Sequence, residues 1–326
     1  MKVLVYLEQA SVRGGIEVFA ERHVAQLRAA GHEVDVVHSL PAFSPYDAVV
    51  VHKCSDVATL ERFPPEKTTY YVLDHEPVCP RTYAYTPLGR NCTRASGIWP
   101  CLFCAPLCRS WKAALGRVFA QGRRTRAMAR FRRIVVISEF MKGRLVANGL
   151  PSAKISVEPP AWLTADGIRQ TTCDTRHATG GECPSSDMLF VGQLVRGKGV
   201  QLLLEAMARM RVPRTLDVVG TGNMEAKLRA QAARLGLTAR VRWRGFRKNP
   251  QDWMRAANCV VVPSFWQEPY GLVAAEAVAL GKRVVAFAVG GLPEACGGKA
   301  TLVPPGDVDA LARALDETGG ETAEMV

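Results

Sequence analysis

The 326-residue chain has no apolar run approaching the roughly 20 residues that a membrane-spanning helix needs, so a helical span is not expected. The opening residues, Met1 to Glu8, are too short an apolar stretch for a secretory signal. A cytoplasmic protein with reduced thiols is the expectation. No internal repeat of short period is visible, although both halves alternate strand-like and helix-like segments. From Pro77 through Ser138 there is no aspartate or glutamate, while twelve Lys or Arg occur, a number equal to the whole net charge of +12. The basicity is therefore local. It peaks at Arg109 to Lys112, Arg123 to Arg126 and Arg130 to Arg133, interleaved with Leu115, Val118, Phe119, Met128 and Phe131. Helical spacing puts basic and apolar residues on partly separate faces, the pattern of a helix lying on anionic lipid at the inner membrane face. A basic helix packed on its own domain gives the same pattern, and both readings stand. No recognition motif for nucleic acid accompanies the patch, so no nucleic-acid partner is expected.

Length and an apolar content of 48% suit two ordinary cores. The most informative stretch begins with Cys259 to Val262, an apolar run that reads as a buried strand. A loop carrying Glu268 follows, and Gly271 to Leu280 has helical periodicity. Glu276, eight positions after Glu268, projects from the second turn of that helix. Backbone amides near Gly271, Leu272 and Val273 have no partner inside the helix and suit a diphosphate, while the flanking carboxylates suit sugar hydroxyls. A solvated helix glutamate is the plainer reading of Glu276. Against it, Val273 to Leu280 surrounds Glu276 with apolar or small residues, and a carboxylate there needs a partner. Val284 to Phe287 followed by Gly290-Gly291 repeats the strand-to-glycine pattern and is expected beside the first.

Met188 to Val191 is a second apolar strand running into Gly192-Gln193-Leu194-Val195-Arg196-Gly197-Lys198-Gly199 and then an amphipathic helix, Gln201 to Met210. Arg196 and Lys198 bring positive charge to a loop whose glycines permit close approach, which suits a departing diphosphate. Gly220-Thr221-Gly222 after the strand Thr215 to Val219 fails as a dinucleotide fingerprint, because Glu225 stands at the third glycine position. A nicotinamide enzyme is thus the weaker reading. In the N-terminal half, a strand from Lys2 to Tyr6 leads to Gly14-Gly15, a helix to about Ala30, a helix-ending Gly31 and a second strand. Thr68 to Val72 ends in Leu73-Asp74-His75-Glu76, a polar cluster at a strand end, where open α/β sheets bind ligands. Cys79, Cys92, Cys101, Cys104 and Cys108 fall within thirty residues. Cys101 and Cys104 have metal-ligand spacing, and Cys79 with Cys92 would complete a structural zinc site; free thiols or a disulfide are the alternatives.

Segment 259–306, with its glutamate pair, and the basic glycine loop 192–199 resemble the group 1 (family 4) glycosyltransferases, retaining enzymes of the GT-B fold. The resemblance extends over nearly the whole chain. It implies an α/β protein of two facing Rossmann-like domains with mostly parallel sheets and a deep interdomain cleft. The implied domains are 1–158 on the acceptor side with a basic, Cys-rich insertion at 77–133, a hinge at 159–187, and 188–326 for the donor. The resemblance assigns the donor sugar to Glu268, the ribose to Glu276, the diphosphate to Gly271, Leu272 and Val273, and the leaving-group charge to Arg196 and Lys198. Gly192 falls in the donor glycine loop, Phe246 near the base, and Gly14 and Gly15 in the acceptor-side loop. Many relatives have arginine where this chain has Gln193, so that role falls to Arg196; they have histidine where it has Leu73, so His75 or Asp74 stands as the substitute, with a structural salt bridge or cap as the other reading of that cluster. The implied activity moves a hexose from a UDP or GDP sugar to a hydroxyl acceptor, lipid-linked or polysaccharide, as in cell-envelope polysaccharide biosynthesis. No cofactor is implied for the catalysis. Relatives usually continue into a helix that crosses back to the first domain, and the alternative is a non-catalytic nucleotide-sugar sensor or partner subunit.

Overall fold

The computed structural model describes residues 1–8, 14–80, 84, 86, 91–96, 101, 104, 111–163 and 186–318. The chain divides into two compact units, Met1–Pro160 and Ala161–Val326. Most of the expected hinge, 159–187, lies outside the described residues.

In the first unit the elements run β1 (Lys2–Leu7), α1 (Gly15–Ala29), β2 (Glu33–Val37), β3 (Ala48–Lys53), α2 (Val57–Glu61), β4 (Thr68–Val72), α3 (Trp111–Arg130), β5 (Arg133–Val136), α4 (Glu139–Ala147) and β6 (Ile155–Val157). The six strands form one sheet in the order β2-β1-β3-β4-β5-β6, every pair parallel. Strands of a parallel sheet covered on both faces read as continuous aliphatic runs, and Val49-Val50-Val51 shows why. Val49 and Val51 enter the core with Leu4, Ile134 and Met141, while Val50 points the other way, to Val3, Val5 and Val24. Two-residue alternation thus supplies two cores from one strand.

The second unit runs β7 (Met188–Val191), α5 (Val200–Arg209), β8 (Leu216–Val219), α6 (Glu225–Arg234), β9 (Val241–Gly245), α7 (Pro250–Ala256), β10 (Cys259–Val262), α8 (Leu272–Ala279), β11 (Arg283–Phe287), α9 (Leu292–Cys296), β12 (Thr301–Val303) and α10 (Val308–Glu317). Its sheet has the order β12-β11-β10-β7-β8-β9, again parallel throughout. The chain starts in the middle at β7, winds outward through β8 and β9, then returns to the other side of β7 as β10. Where the winding reverses, the loops leaving the two central strands diverge and open a crevice at their carboxyl ends. Here the two strands pair only through Cys259 with Met188 and Val260 with Leu189, so their last residues are free of one another. Helix α5 packs beside this point through Val200, Leu203, Leu204 and Met207, all fully buried, which is the stripe expected of a 3.6-residue period.

Candidate active site

The crevice between β7 and β10 receives both segments singled out in the sequence. After β7 the chain makes a tight 3₁₀ turn, Arg196–Lys198, and Gly199 caps α5 with φ of +75°. A Cβ on Gly199 would lie 1.7 Å from the Pro263 carbonyl oxygen, so this turn and the loop after β10 touch backbone to backbone. The amides of Phe265 and Trp266 donate to the Gly197 carbonyl at 3.1 and 3.4 Å, tying the two loops together.

This contact places Lys198 against Glu268, seventy residues away, with Nζ 2.7 Å from Oε1. The Trp266 indole Nε1 donates to the same oxygen at 2.9 Å, and the Lys198 ammonium lies 5.4 Å from the Trp266 ring centroid. Glu268 is only 7% exposed. Burial alone pushes its pKa up, but the Lys198 charge and the hydrogen bonds from Lys198, Ser264 and Trp266 outweigh that, holding the carboxyl below its ordinary value. A buried carboxylate fixed beside a partly exposed ammonium puts an acceptor for hydroxyls next to a cation for phosphate. Arg196 shares the turn, with its side chain exposed.

Glu276 sits in α8 as a buried residue and accepts from Gln251 Nε2 of α7 at 2.9 Å. The partner that an apolar setting demands of a carboxylate is thus present, and sequence reading missed it. Gly271 caps α8 with φ of +112°, a left-handed conformation that favours glycine and leaves the following amides facing out of the helix start. The amide of Gly291, after β11, donates to the Glu268 carbonyl at 2.8 Å, so the second glycine turn does lie beside the first. Phe246 follows β9 and is 57% exposed. On the preceding strand, Arg242 and Arg244 both pair with Asp217, which is fully buried, and Arg244 also faces the Trp253 ring.

Residues 185–318, which carry this crevice, match the family model described as glycosyl transferases group 1. The second unit belongs to the group 1 glycosyltransferases. A D-inositol 3-phosphate glycosyltransferase of Kribbella flavida is 39% identical over 183 residues, which are 51% of this chain and 43% of that protein. An uncharacterized glycosyltransferase of Methanocaldococcus jannaschii is 36% identical over 123 residues, 36% of this chain and 31% of its own. The chain thus spans less than half the length of these relatives. The fold is that of GT-B glycosyltransferase structures. Anabaena Alr3699/HepE, solved with UDP and glucose, superposes with a TM-score of 0.66 at 19% identity, covering 99% of this chain and 90% of its own. WaaG, a glycosyltransferase involved in lipopolysaccharide biosynthesis, superposes with a TM-score of 0.65 at 19% identity, covering 97% and 90%.

The other residues singled out fall as follows. Gly192 lies directly after β7, and its amide donates to the Val219 carbonyl at 3.0 Å, so it belongs to the glycine turns above β7 and β8. In the first unit, Gly14 caps α1, and its amide donates to the Glu17 carboxylate at 2.7 Å, so this helix start carries its own anion. Asp74 pairs with Lys53 at 3.3 Å. His75 is 3% exposed, its ring edge-on to Phe140 at 6.2 Å. Sequence reading gave no role to Glu76, whose carboxylate accepts from the Ser55 hydroxyl and pairs with Arg124 at 3.0 Å.

Zinc is a correction. Cys79, Cys92, Cys101 and Cys104 line one small pocket together with Arg94 and Arg144. Among the described residues no group of three or more His, Cys, Asp or Glu is arranged to hold a metal ion. Two arginines line the same pocket, and their positive charge opposes a dication where a zinc site needs electron-pair donors. Cys108 lies outside the described residues.

The basic helix α3 is anchored through its apolar side. Val118, Ala127 and Met128 are buried, and Arg124, on that same side, is 6% exposed in its pair with Glu76. Arg117, Arg123, Arg126 and Arg130 remain exposed, as does Phe119 at 61%. Among the described residues, Ala127 and Met128 are thus spent on the unit's own core and Val118 on a small cluster with Cys101, while the outward side carries the four arginines and Phe119.

Proposed function

We propose that this chain moves a hexose from a nucleoside diphosphate sugar to a hydroxyl acceptor, with retention of anomeric configuration. The observation that carries the reading is the Lys198–Glu268 pair at the switch point of the second unit's sheet, with the α8 helix start beside it. In this reading the diphosphate lies against the amides of Gly271, Leu272 and Val273, with Lys198 and Arg196 as counter-charges. Glu276, held by Gln251, takes the ribose hydroxyls; Glu268 takes those of the sugar; Phe246 covers the base. Charge grows on the leaving diphosphate as the glycosidic bond breaks, and cations already in place stabilise it without reorganisation. Both crevice carboxylates are already engaged, Glu268 by Lys198 and Trp266 and Glu276 by Gln251, which makes either a poor nucleophile. That suits a same-face transfer in which the leaving phosphate oxygen accepts the acceptor's proton. HepE, a fold neighbour, was solved with UDP-glucose, so a UDP sugar is the first donor to try, with GDP sugars next.

The test is ¹H and ³¹P NMR of each nucleotide sugar incubated with the protein. Release of the nucleoside diphosphate, with the sugar appearing first in the donor's own anomeric form, is expected. First appearance of the opposite anomer would refute retention, and no release from any donor with any hydroxyl acceptor would refute transfer.

The acceptor is held at an anionic membrane surface, such as a lipid-linked saccharide at the inner face, and the exposed arginines of α3 meet that surface. The protein should sediment with phosphatidylglycerol-containing vesicles at low salt and not with pure phosphatidylcholine. Arg126→Glu combined with Arg130→Glu should abolish sedimentation; unchanged sedimentation would remove α3 from that role.

A further inference from the structure

Trp266 touches both members of the Lys198–Glu268 pair and the turn beneath them. Its indole N–H donates to Oε1 of Glu268, the oxygen that also holds Lys198. Its ring faces the Lys198 ammonium. The same ring lies so close over Gly197 that a Cβ there would be 2.6 Å from it. One side chain therefore sets the height of the basic turn, the position of the ammonium and the orientation of the carboxylate. Glu268 also meets Lys198 from the turn before α5 and Ser264 from its own loop. From the glycine turn after β11 it is the backbone that approaches, at Gly290 and Gly291.

An arriving anion disturbs this balance. A diphosphate at the α8 helix start competes with Glu268 for the Lys198 ammonium, and a carboxylate held by lysine alone would follow it or swing away. Because the indole shares Oε1, the carboxylate keeps a directed donor on that oxygen, alongside Ser264, when the ammonium turns aside. We propose that Trp266 is the positioning residue of the donor site, retaining Glu268 in its sugar-facing orientation while Lys198 is handed from the carboxylate to the donor's diphosphate. The proposal rests on the donor-site reading above.

The experiment has two parts on the full-length protein. In ¹⁵N-tryptophan-labelled protein, the Trp266 indole resonance is assigned by its loss in Trp266→Phe. It should titrate with a midpoint below the ordinary glutamate range, because the carboxyl it reports on is held ionised, and it should move upfield in Glu268→Gln. Addition of a bound nucleotide sugar should shift this resonance while leaving it in the range of a carboxylate-bonded indole. The second part is turnover. Trp266→Phe keeps an aromatic ring beside Gly197 and removes the indole donor, so kcat should fall roughly 10- to 100-fold, with a much smaller change in donor KM. The acid limb of its pH–rate profile should move to higher pH, since one group favouring the ionised carboxylate is gone. A residue that merely filled space over Gly197 would leave that limb where it is.

Parent kcat and parent pH profile in Trp266→Phe, with donor still bound, would overturn the proposal. So would an indole resonance that ignores both pH and Glu268→Gln, a result readable even if Trp266→Phe does not fold. Failure of the donor-site reading looks different: the indole titrates with Glu268, but no nucleotide sugar shifts any resonance.

Discussion

Lys198→Ala should lower turnover of the nucleotide sugar by roughly 10²- to 10³-fold, the loss typical of removing one preorganised group that stabilises transition-state charge. Lys198 is suited to that role because the short turn between β7 and α5 gives it little freedom and its side chain is 24% exposed. The same substitution also strands Glu268. A buried carboxyl that loses its cation is pushed upward by desolvation, with only the Ser264 and Trp266 hydrogen bonds opposing. In the parent its pKa lies below the ordinary value of 4.5, so its stabilising contribution is present above that pH and is lost as pH falls through the folded value. In Lys198→Ala that contribution disappears, and the melting temperature at pH 7 should fall as well. The two effects separate in the double variant Lys198→Ala with Glu268→Gln. Removing the buried charge along with its partner should restore most of the melting temperature, while turnover stays low. Thermal melting and single-turnover rates on the three variants check both halves. Turnover that recovers together with stability would mean Lys198 acts only by neutralising Glu268.

Gly199→Ala should cost about 4 kcal/mol or more, in the range reserved for a named structural lesion. Two effects add. The position has φ of +75°, where a side chain is strained by roughly 1 kcal/mol. The greater cost is the overlap of the new Cβ with the Pro263 carbonyl oxygen, a backbone atom that no rotamer change can move away. Either the turn before α5 or the loop after β10 must shift, and both carry site residues. Gly281→Ala is the control, because it has φ of +68° but nothing within 4 Å of the added carbon. It should show the strain alone. Denaturant midpoints of the two variants therefore differ by the cost of the overlap, and equal midpoints would mean the two loops are not in backbone contact.

The local part of this site was legible because its chemistry is carried by residues close in sequence. The eight-residue spacing of Glu268 and Glu276 across a glycine helix start, and the basic turn after an apolar strand, need only strand and helix periods to be read. The order of the strands is different. It depends on β7 pairing with β10, a contact between Met188 and Cys259 that no local pattern encodes. Trp266 and Gln251 went unread for the same reason. Each acquires its role from a carboxylate, and Gln251 meets Glu276 only when α7 packs near α8. Asp217 gains its ion pair only when the pairing of β8 with β9 puts Arg242 opposite it. The cysteines erred the other way. Cys101 and Cys104 have ligand spacing in sequence, but a tetrahedral site is a long-range property, and Cys79 and Cys92 supply pocket wall instead. The amphipathic pattern of α3 was real, yet periodicity could not say whether core or lipid would cover its apolar face.

All of the chemistry proposed for this chain depends on the crevice between β7 and β10 holding a nucleoside diphosphate sugar. Thermal-shift melting of the purified protein against UDP, GDP, ADP and their common sugars is the decisive test, because a ligand that binds only the folded state raises the melting temperature. A rise of several degrees is expected with one nucleotide family, larger for its sugar conjugate, and lost in Glu276→Ala. No rise with any of them, or a rise that survives Glu276→Ala and Lys198→Ala alike, would mean that the crevice is not the donor site.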